Sequence, residues 1–209
     1  MLHTETIESS ALELLKSLQQ KEYFQNFYLV GGSALALYYG HRRSDDIDLF
    51  SKDNFDAKQL LEQIHQDFPY QLSYTAESTL KGTISGVKVD VIAHRYPFLR
   101  DPITVDSISL LSEEDIIAMK LNAVSISGQR SKNFIDIYYG LKTYTISDMI
   151  DFYKTKYNQQ DASHVLKSLI YFDDVDLADW PVLVKDPDLK WETVMNKIEK
   201  EVIQFVNKK

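Results

Sequence analysis

Cysteine is absent from the 209 residues of this chain. That excludes disulfides, thiolate nucleophiles and zinc–thiolate sites, and it fits a reducing compartment. Long apolar runs are absent too, none approaching the ~20 residues that a membrane span needs. The stretch from Met1 to Ser10 carries polar and acidic residues where a secretory signal would have its apolar core. The expectation is a soluble, cytoplasmic protein with no membrane partner. A basic excess is also missing: 23 Lys and Arg against 31 Asp and Glu leave a formal net charge of −8. Broad, nonspecific nucleic-acid binding recruits the opposite balance. Much of the acid lies late, in Asp173, Asp174, Asp176, Asp179, Asp186 and Asp188, whereas His41-Arg42-Arg43 and Arg130 with Lys132 are local basic clusters. A small basic pocket in an acidic protein suits a nucleotide better than a long duplex. There is no internal repeat and no low-complexity segment.

What is present is a 44% hydrophobic composition, enough for one domain or two small ones. Leu12, Leu15 and Leu18 predict an amphipathic helix over 8–20, and Leu60, Leu61 and Ile64 another over 56–67. Three β-like runs follow, 70–75, 79–84 and 87–93, the last two joined by Ser85-Gly86 as a tight hairpin turn. Ser112, with Asp115 three residues on, marks an N-cap for a helix to about Ser125. Gly128 interrupts, and helices are expected over 132–141, 147–157, 162–171 and 191–206. The chain therefore divides into an α/β part, residues 1–108, and a helical part, residues 109–209, each of ordinary domain size.

The chemistry concentrates in the first part. An apolar run over 27–30 leads into Gly31-Gly32-Ser33, then a short helix to Tyr39, then Asp46-Ile47-Asp48 opening a second apolar run. Residues two apart in a strand share a face, so Asp46 and Asp48 project together. Mg²⁺ takes oxygen ligands and commonly uses one or two carboxylates with substrate phosphates. Asp90, inside Val87-Lys88-Val89-Asp90-Val91, is the candidate third carboxylate for a two-metal site. Gly31 and Gly32 allow close backbone approach and positive φ. Ser33 is placed to cap the helix and offer its hydroxyl to a phosphate beside the free N–H groups of the helix end. An acidic pair can simply cap a loop, and Gly-Gly-Ser can be an ordinary turn; their combination with Asp90 favours the functional reading. Asp45 is expected on the opposite face, exposed or paired with Arg42 or Arg43.

These residues resemble the nucleotidyltransferase superfamily, marked by Gly-Gly/Ser, a spacer, Asp-x-Asp and a later carboxylate. They are closer still to its AbiEii/AbiGii toxin branch. Gly31 to Leu37 with Ser44 to Phe50 reads as that branch's first motif, and Lys88-Val89-Asp90 as its second. Lys120 and Lys132-Asn133-Phe134-Ile135-Asp136 follow as later elements, and Tyr171-Phe172-Asp173-Asp174 and Trp191-Glu192 extend the likeness to the C-terminal region. Asn133 stands where the branch often has Asp, which puts full turnover in doubt.

The resemblance implies an α/β (α+β) fold with a small mixed sheet flanked by helices and followed by a helical domain. It implies transfer of a nucleoside monophosphate from an NTP to an acceptor hydroxyl with Mg²⁺ or Mn²⁺. RNA, specifically tRNA, is the implied acceptor, and the role that of the toxin of a toxin–antitoxin or abortive-infection pair with a cognate antitoxin protein. Asp46, Asp48 and Asp90 would hold metal, with Lys120 as a further catalytic candidate; Gly31, Gly32, Ser33, Arg43, Lys88 and Asp136 would contact nucleotide. The alternatives are an antibiotic-modifying type of nucleotidyltransferase and a binding protein that has lost turnover. From the residues alone, Lys120 lies beside the apolar stripe of its helix, either snorkelling from the core edge or reaching into a cleft. Lys132 and Asp136, four apart, equally describe a surface ion pair. His3, His65, His94 and His164 have no ligand spacing. The 13 tyrosines are assigned to packing, and the run from Asp173 to Asp176 to a solvated acidic patch.

Overall fold

Alternation of apolar and polar residues builds the centre of a sheet. In the computed structural model, which describes residues 1–208, seven strands run as β1 (Tyr28–Leu29), β2 (Ile47–Ser51), β3 (Tyr70–Ala76), β4 (Thr79–Ile84), β5 (Val87–Ala93), β6 (Ile103–Val105) and β7 (Ile108–Leu110). Their order across the sheet is β3-β4-β5-β2-β1-β7-β6. The sheet is mixed: β2 runs parallel to β5 and β1 parallel to β7, and the remaining pairs are antiparallel. Val89 and Val91 on β5, with Ile47 and Leu49 on β2, are buried. The β4–β5 turn places Ser85 and Gly86 both at positive φ, +50° and +85°, the conformation that a two-residue hairpin matched to strand twist requires.

Eight α-helices complete the fold: α1 (Ser9–Gln19), α2 (Gly31–Tyr39), α3 (Ala57–Asp67), α4 (Glu113–Ile126), α5 (Ser131–Gly140), α6 (Ile146–Tyr157), α7 (Ser163–Leu169) and α8 (Trp191–Asn207). Expected bounds hold closely. Asp56 caps α3 through the N–H groups of Lys58 and Gln59, and Ser112 caps α4 through that of Asp115. Among the described residues no helix is long and apolar enough to cross a membrane.

Two features differ from the sequence expectation. The stretch between β5 and α4, where periodicity gives no element, contains the β6–β7 hairpin. Its turn, Asp106-Ser107, sits at φ +52° and +64°, a pair without the glycine that usually announces such turns. A division after residue 108 would cut β7. The buried apolar residues instead form two clusters that change over inside α4, Ile116 belonging to the first and Ile117 to the second.

A buried ion pair fastens the two clusters together. Asp115 of α4 and Lys156 of α6 are both fully buried, with Lys156 Nζ 2.6 Å from Asp115 Oδ1. The Asp115 carboxylate also accepts from the N–H groups of Leu99 and Arg100 and the Ser112 hydroxyl, and Lys156 Nζ donates to the Pro97 carbonyl. The segment after β5 is thereby pinned against α4 and α6. Removing one partner of such a pair strands a charge, so Lys156→Met should cost about 3–5 kcal/mol in urea unfolding. A loss below about 1 kcal/mol would mean that the backbone donors suffice for Asp115.

His94 lies beside this pair, among Phe50, Tyr96 and Tyr157. Burial, reinforced by the Lys156 charge, pushes its imidazole down to about 4 from 6.5. The unfolded chain then takes up the proton first, so stability is lost as pH falls from 6.5 toward 4. Thermal melts across that window should show a shallower slope for His94→Leu than for the parent chain; an unchanged slope would rule His94 out as its source.

Candidate active site

The glycines are packed by the protein's own charged side chains. α2 starts at Gly31, directly after the extended Val30, so no separate turn precedes the helix. Gly31 has φ +71°, and a Cβ there would lie 2.5 Å from Asp48 Oδ2; a Cβ on Gly32 would overlap the Arg42 guanidinium. Side-chain-free backbone is thus required for Asp48 and Arg42 to reach the helix end. Ser33 is not the N-cap. It is buried in the first turn, its hydroxyl donating to the Asp46 carbonyl and bonding the Ser44 hydroxyl at 3.0 Å. It therefore fixes the approach to β2 and does not line the cleft. α2 instead opens with no side-chain cap, leaving its first N–H groups facing outward.

The sheet register sets two of the three candidate aspartates side by side. Asp48 on β2 and Asp90 on β5 are paired in register on neighbouring parallel strands, the spacing of which is about 5 Å. Asp46 sits one residue before β2 and is exposed; Asp48 is half-buried and Asp90 buried. Lys88, two residues before Asp90 on the same face, places Nζ 3.1 Å from Asp90 Oδ2. Asp90 Oδ1 is buried without a hydrogen-bond partner. Burial raises the Asp48 carboxyl above its ordinary value, Asp90 and Asp46 adding to the rise and Lys88 and Lys120 opposing it. Lys88 is raised: burial favours its neutral form, but Asp48 and Asp90 outweigh that. Hard oxygen donors, like-charge crowding and an unpartnered buried oxygen together fit Mg²⁺ or Mn²⁺. Among the described residues, however, no three acidic, histidine or cysteine side chains are close enough to hold a metal ion as they stand.

Asp136 overturns the surface reading. It is buried on α5, where Asn133, Phe134, Ile135, Ile137 and Tyr139 are also buried, so the helix has no broad solvated face. Lys132 turns away to Asp179, and the Lys132–Asp136 pair does not form. Asp136 instead collects Arg42 Nε (2.7 Å) and Nη2 (3.0 Å), Lys120 Nζ (2.8 Å) and His41 Nε2 (2.8 Å). Burial works against its charge, but Arg42 and Lys120 overwhelm that and hold the carboxyl well below the usual range. An ionised carboxylate only accepts, so His41 Nε2 carries the proton. Desolvation lowers the His41 pKa despite Asp136, which keeps the ring neutral and leaves Nδ1 buried without a partner. Asp136 does not line the cleft; Arg42 and Lys120, which it holds, do. Lys120 Nζ also donates to Asn133 Oδ1 at 3.1 Å, so the Asn at that position still leaves Lys120 with a carboxylate partner.

A cleft of about 420 Å³ is lined by Gly31, Gly32, Arg43, Asp46 and Asp48 and by Lys120, Arg130, Lys132 and Asn133. Residues 176–185, which lie between the helices expected over 162–171 and 191–206, line one side as a strap. The Asp176 N–H donates to the Gln129 carbonyl, the Arg43 N–H to that of Val182, and the Val184 N–H to that of His41. Trp180 lines the cleft and stands edge-on to Trp191. Arg43 is exposed at the rim. Asp45 is exposed as expected, but its carboxylate accepts from the Glu8 N–H at 2.8 Å and not from an arginine. Lys88, which is exposed, and Asp90, which is buried, do not line the cleft themselves. Missed by sequence reading are the burial of His41 and Arg42 and the strap. The apolar residues Phe134, Ile135, Ile137, Tyr138 and Tyr139 crowded around Asp136 were the available signal that it would be buried and paired. Asp136→Asn should lower stability by about 3–5 kcal/mol by stranding the two cations. An unfolding free energy within 1 kcal/mol of the parent chain would show that Arg42 and Lys120 find other partners.

The fold is shared with solved structures of low identity. MenT4, a nucleotidyltransferase toxin of Mycobacterium tuberculosis H37Rv, superposes with a TM-score of 0.61 at 14% identity, covering 93% of this chain and 80% of that one. The Helicobacter pylori protein JHP933 gives 0.57 at 16% identity, covering 97% and 94%. An uncharacterised protein of Aquifex aeolicus strain VF5 is 29% identical over 187 residues, 87% of this chain and 88% of the relative. The family described as nucleotidyl transferase AbiEii toxin, type IV toxin–antitoxin system, matches residues 13–205. Since that match takes in the glycine turn, all three aspartates, Lys120 and Asp136, this chain belongs to the AbiEii nucleotidyltransferase toxin family.

Proposed function

We propose that this nucleotidyltransferase uses Asp46, Asp48 and Asp90 with Mg²⁺ or Mn²⁺ to transfer a nucleoside monophosphate from an NTP to a hydroxyl of RNA, with tRNA as the leading acceptor. The observation that carries the reading is the register of Asp48 beside Asp90, with Asp48 lining a cleft that Arg42 and Lys120 also line. In this reading the acceptor hydroxyl gives up its proton to water, its oxygen forms a bond to the α-phosphorus, the bond to the bridging oxygen breaks, and pyrophosphate leaves. A bound divalent ion would neutralise the phosphates and lower the pKa of the acceptor hydroxyl. Lys120 and Arg42, held rigid by Asp136, offer fixed positive charge to the leaving phosphates; Arg43 and the N-terminus of α2 at Gly31-Gly32 add donors. Asp90 Oδ1 is the unengaged oxygen beside Asp48. Catalysis of this kind is positioning and electrostatics, which a preformed cation node supplies without reorganisation. The family supports the toxin role and a cognate antitoxin partner, and a cytoplasmic location belongs to the same proposal.

The test is transfer of label from each α-³²P-NTP, with Mg²⁺ or Mn²⁺, into total cellular RNA and separately into protein. Label in RNA should fall by at least about 100-fold in Asp46→Ala/Asp48→Ala, as expected when ligands to a catalytic ion are removed. Label in protein only, or equal label in the variant, would overturn the RNA assignment or the role of the aspartates respectively.

A further inference from the structure

Arg130 and Lys132 line the cleft from the start of α5, and both meet one carboxylate. Lys132 Nζ is 2.7 Å from Asp179 Oδ1. Arg130 Nε is 3.6 Å from Asp179 Oδ2, beyond hydrogen-bond reach, and that oxygen is buried with no hydrogen-bond partner. The arrangement is half-made. A single planar carboxylate leaves donors of the guanidinium and ammonium unused and one of its own oxygens unsatisfied, which is unfavourable for a buried acceptor. A phosphate, with three acceptor oxygens and more charge, matches the two cations better. Asp179 does not belong to α5. It ends a three-residue helical turn, Leu177–Asp179, in the middle of the strap. The strap is tied at one end to Gln129 and at the other to Arg43 by backbone hydrogen bonds, so Asp179 can withdraw without loss of either anchor. Lys132 lies one helical turn outward from Asp136, about 6 Å along the axis, and is therefore separate from the Lys120–Arg42 node.

We propose that Arg130 and Lys132 form a phosphate subsite that Asp179 occupies in the free protein and yields when a substrate phosphate arrives. The identity of the substrates rests on the nucleotidyltransferase reading; the subsite itself rests on the geometry of these three residues. Two sources share this chemistry: the triphosphate of the NTP and a backbone phosphate of the acceptor strand.

The experiment reads binding, so its outcome stands apart from whether label is transferred. Isothermal titration of the full chain is run in two arms, one with a non-hydrolysable NTP analogue and Mg²⁺, the other with a single-stranded RNA oligonucleotide alone. Asp179→Asn keeps the size of the side chain and removes the competing charge. It should tighten at least one arm by roughly three- to tenfold, and Lys132→Met should weaken that same arm by a similar factor. The arm that responds identifies the source of the phosphate. Asp179→Ala guards against a new contact from the asparagine amide and should tighten the same arm. The proposal is overturned if Asp179→Asn leaves both affinities within twofold, if Lys132→Met spares the arm that tightened, if Asp179→Ala weakens it, or if neither probe binds.

Discussion

One buried carboxylate organises this molecule. Asp136 gathers His41 and Arg42 from the loop after α2 and Lys120 from α4 onto α5, all with little or no solvent access. An isolated charge in such a place is prohibitive, and two cations around one anion are tolerable only with close hydrogen-bond geometry. The node therefore fixes three segments at once, and its excess positive charge emerges at the cleft through Arg42 and Lys120. Gly32 has to be glycine because the guanidinium fills the space of its Cβ. Arg42, the two glycines at the start of α2 and Asp136 form one packed unit.

Asp115 does the corresponding work on the far side of α4. It ties the segment after β5 to α6 through Lys156, as Asp136 ties the segment after α2 to α5. The sheet and the helical part keep separate apolar clusters, and both ion nodes lie where they meet. Apolar contact alone is non-directional; buried hydrogen-bonded charges define the angle at which the two parts face each other. The cleft lies between them, so its geometry depends on that angle.

The cleft lining carries both signs. Asp46 and Asp48 place negative charge in it, burial and the neighbouring Asp90 raising the Asp48 carboxyl, and Arg42, Lys120, Arg130 and Lys132 line it as well. A net charge of −8 for the whole chain conceals this local balance. A triphosphate with a divalent cation carries both signs and matches such a lining.

Local pattern in the sequence determined most of the elements and the acidic centre. Caps at Asp56 and Ser112, the Ser85-Gly86 turn and the period-two spacing of Asp46 and Asp48 depend on residues a few positions apart, and such rules act along the chain. The β-like run around Asp90 marks it as a candidate third carboxylate, but the register that sets it beside Asp48 belongs to the sheet. Tertiary structure alone decided what Asp136, Arg42, Ser33 and Asp179 do. Their partners lie 94 residues away for Arg42 and Asp136, and 95 for His41 and Asp136. Spacing along one helix offered Asp136 only Lys132, a partner that the burial of α5 and the position of the strap give to Asp179 instead. A charged residue takes its role from what surrounds it after packing, and that surrounding is set by contacts no local period encodes.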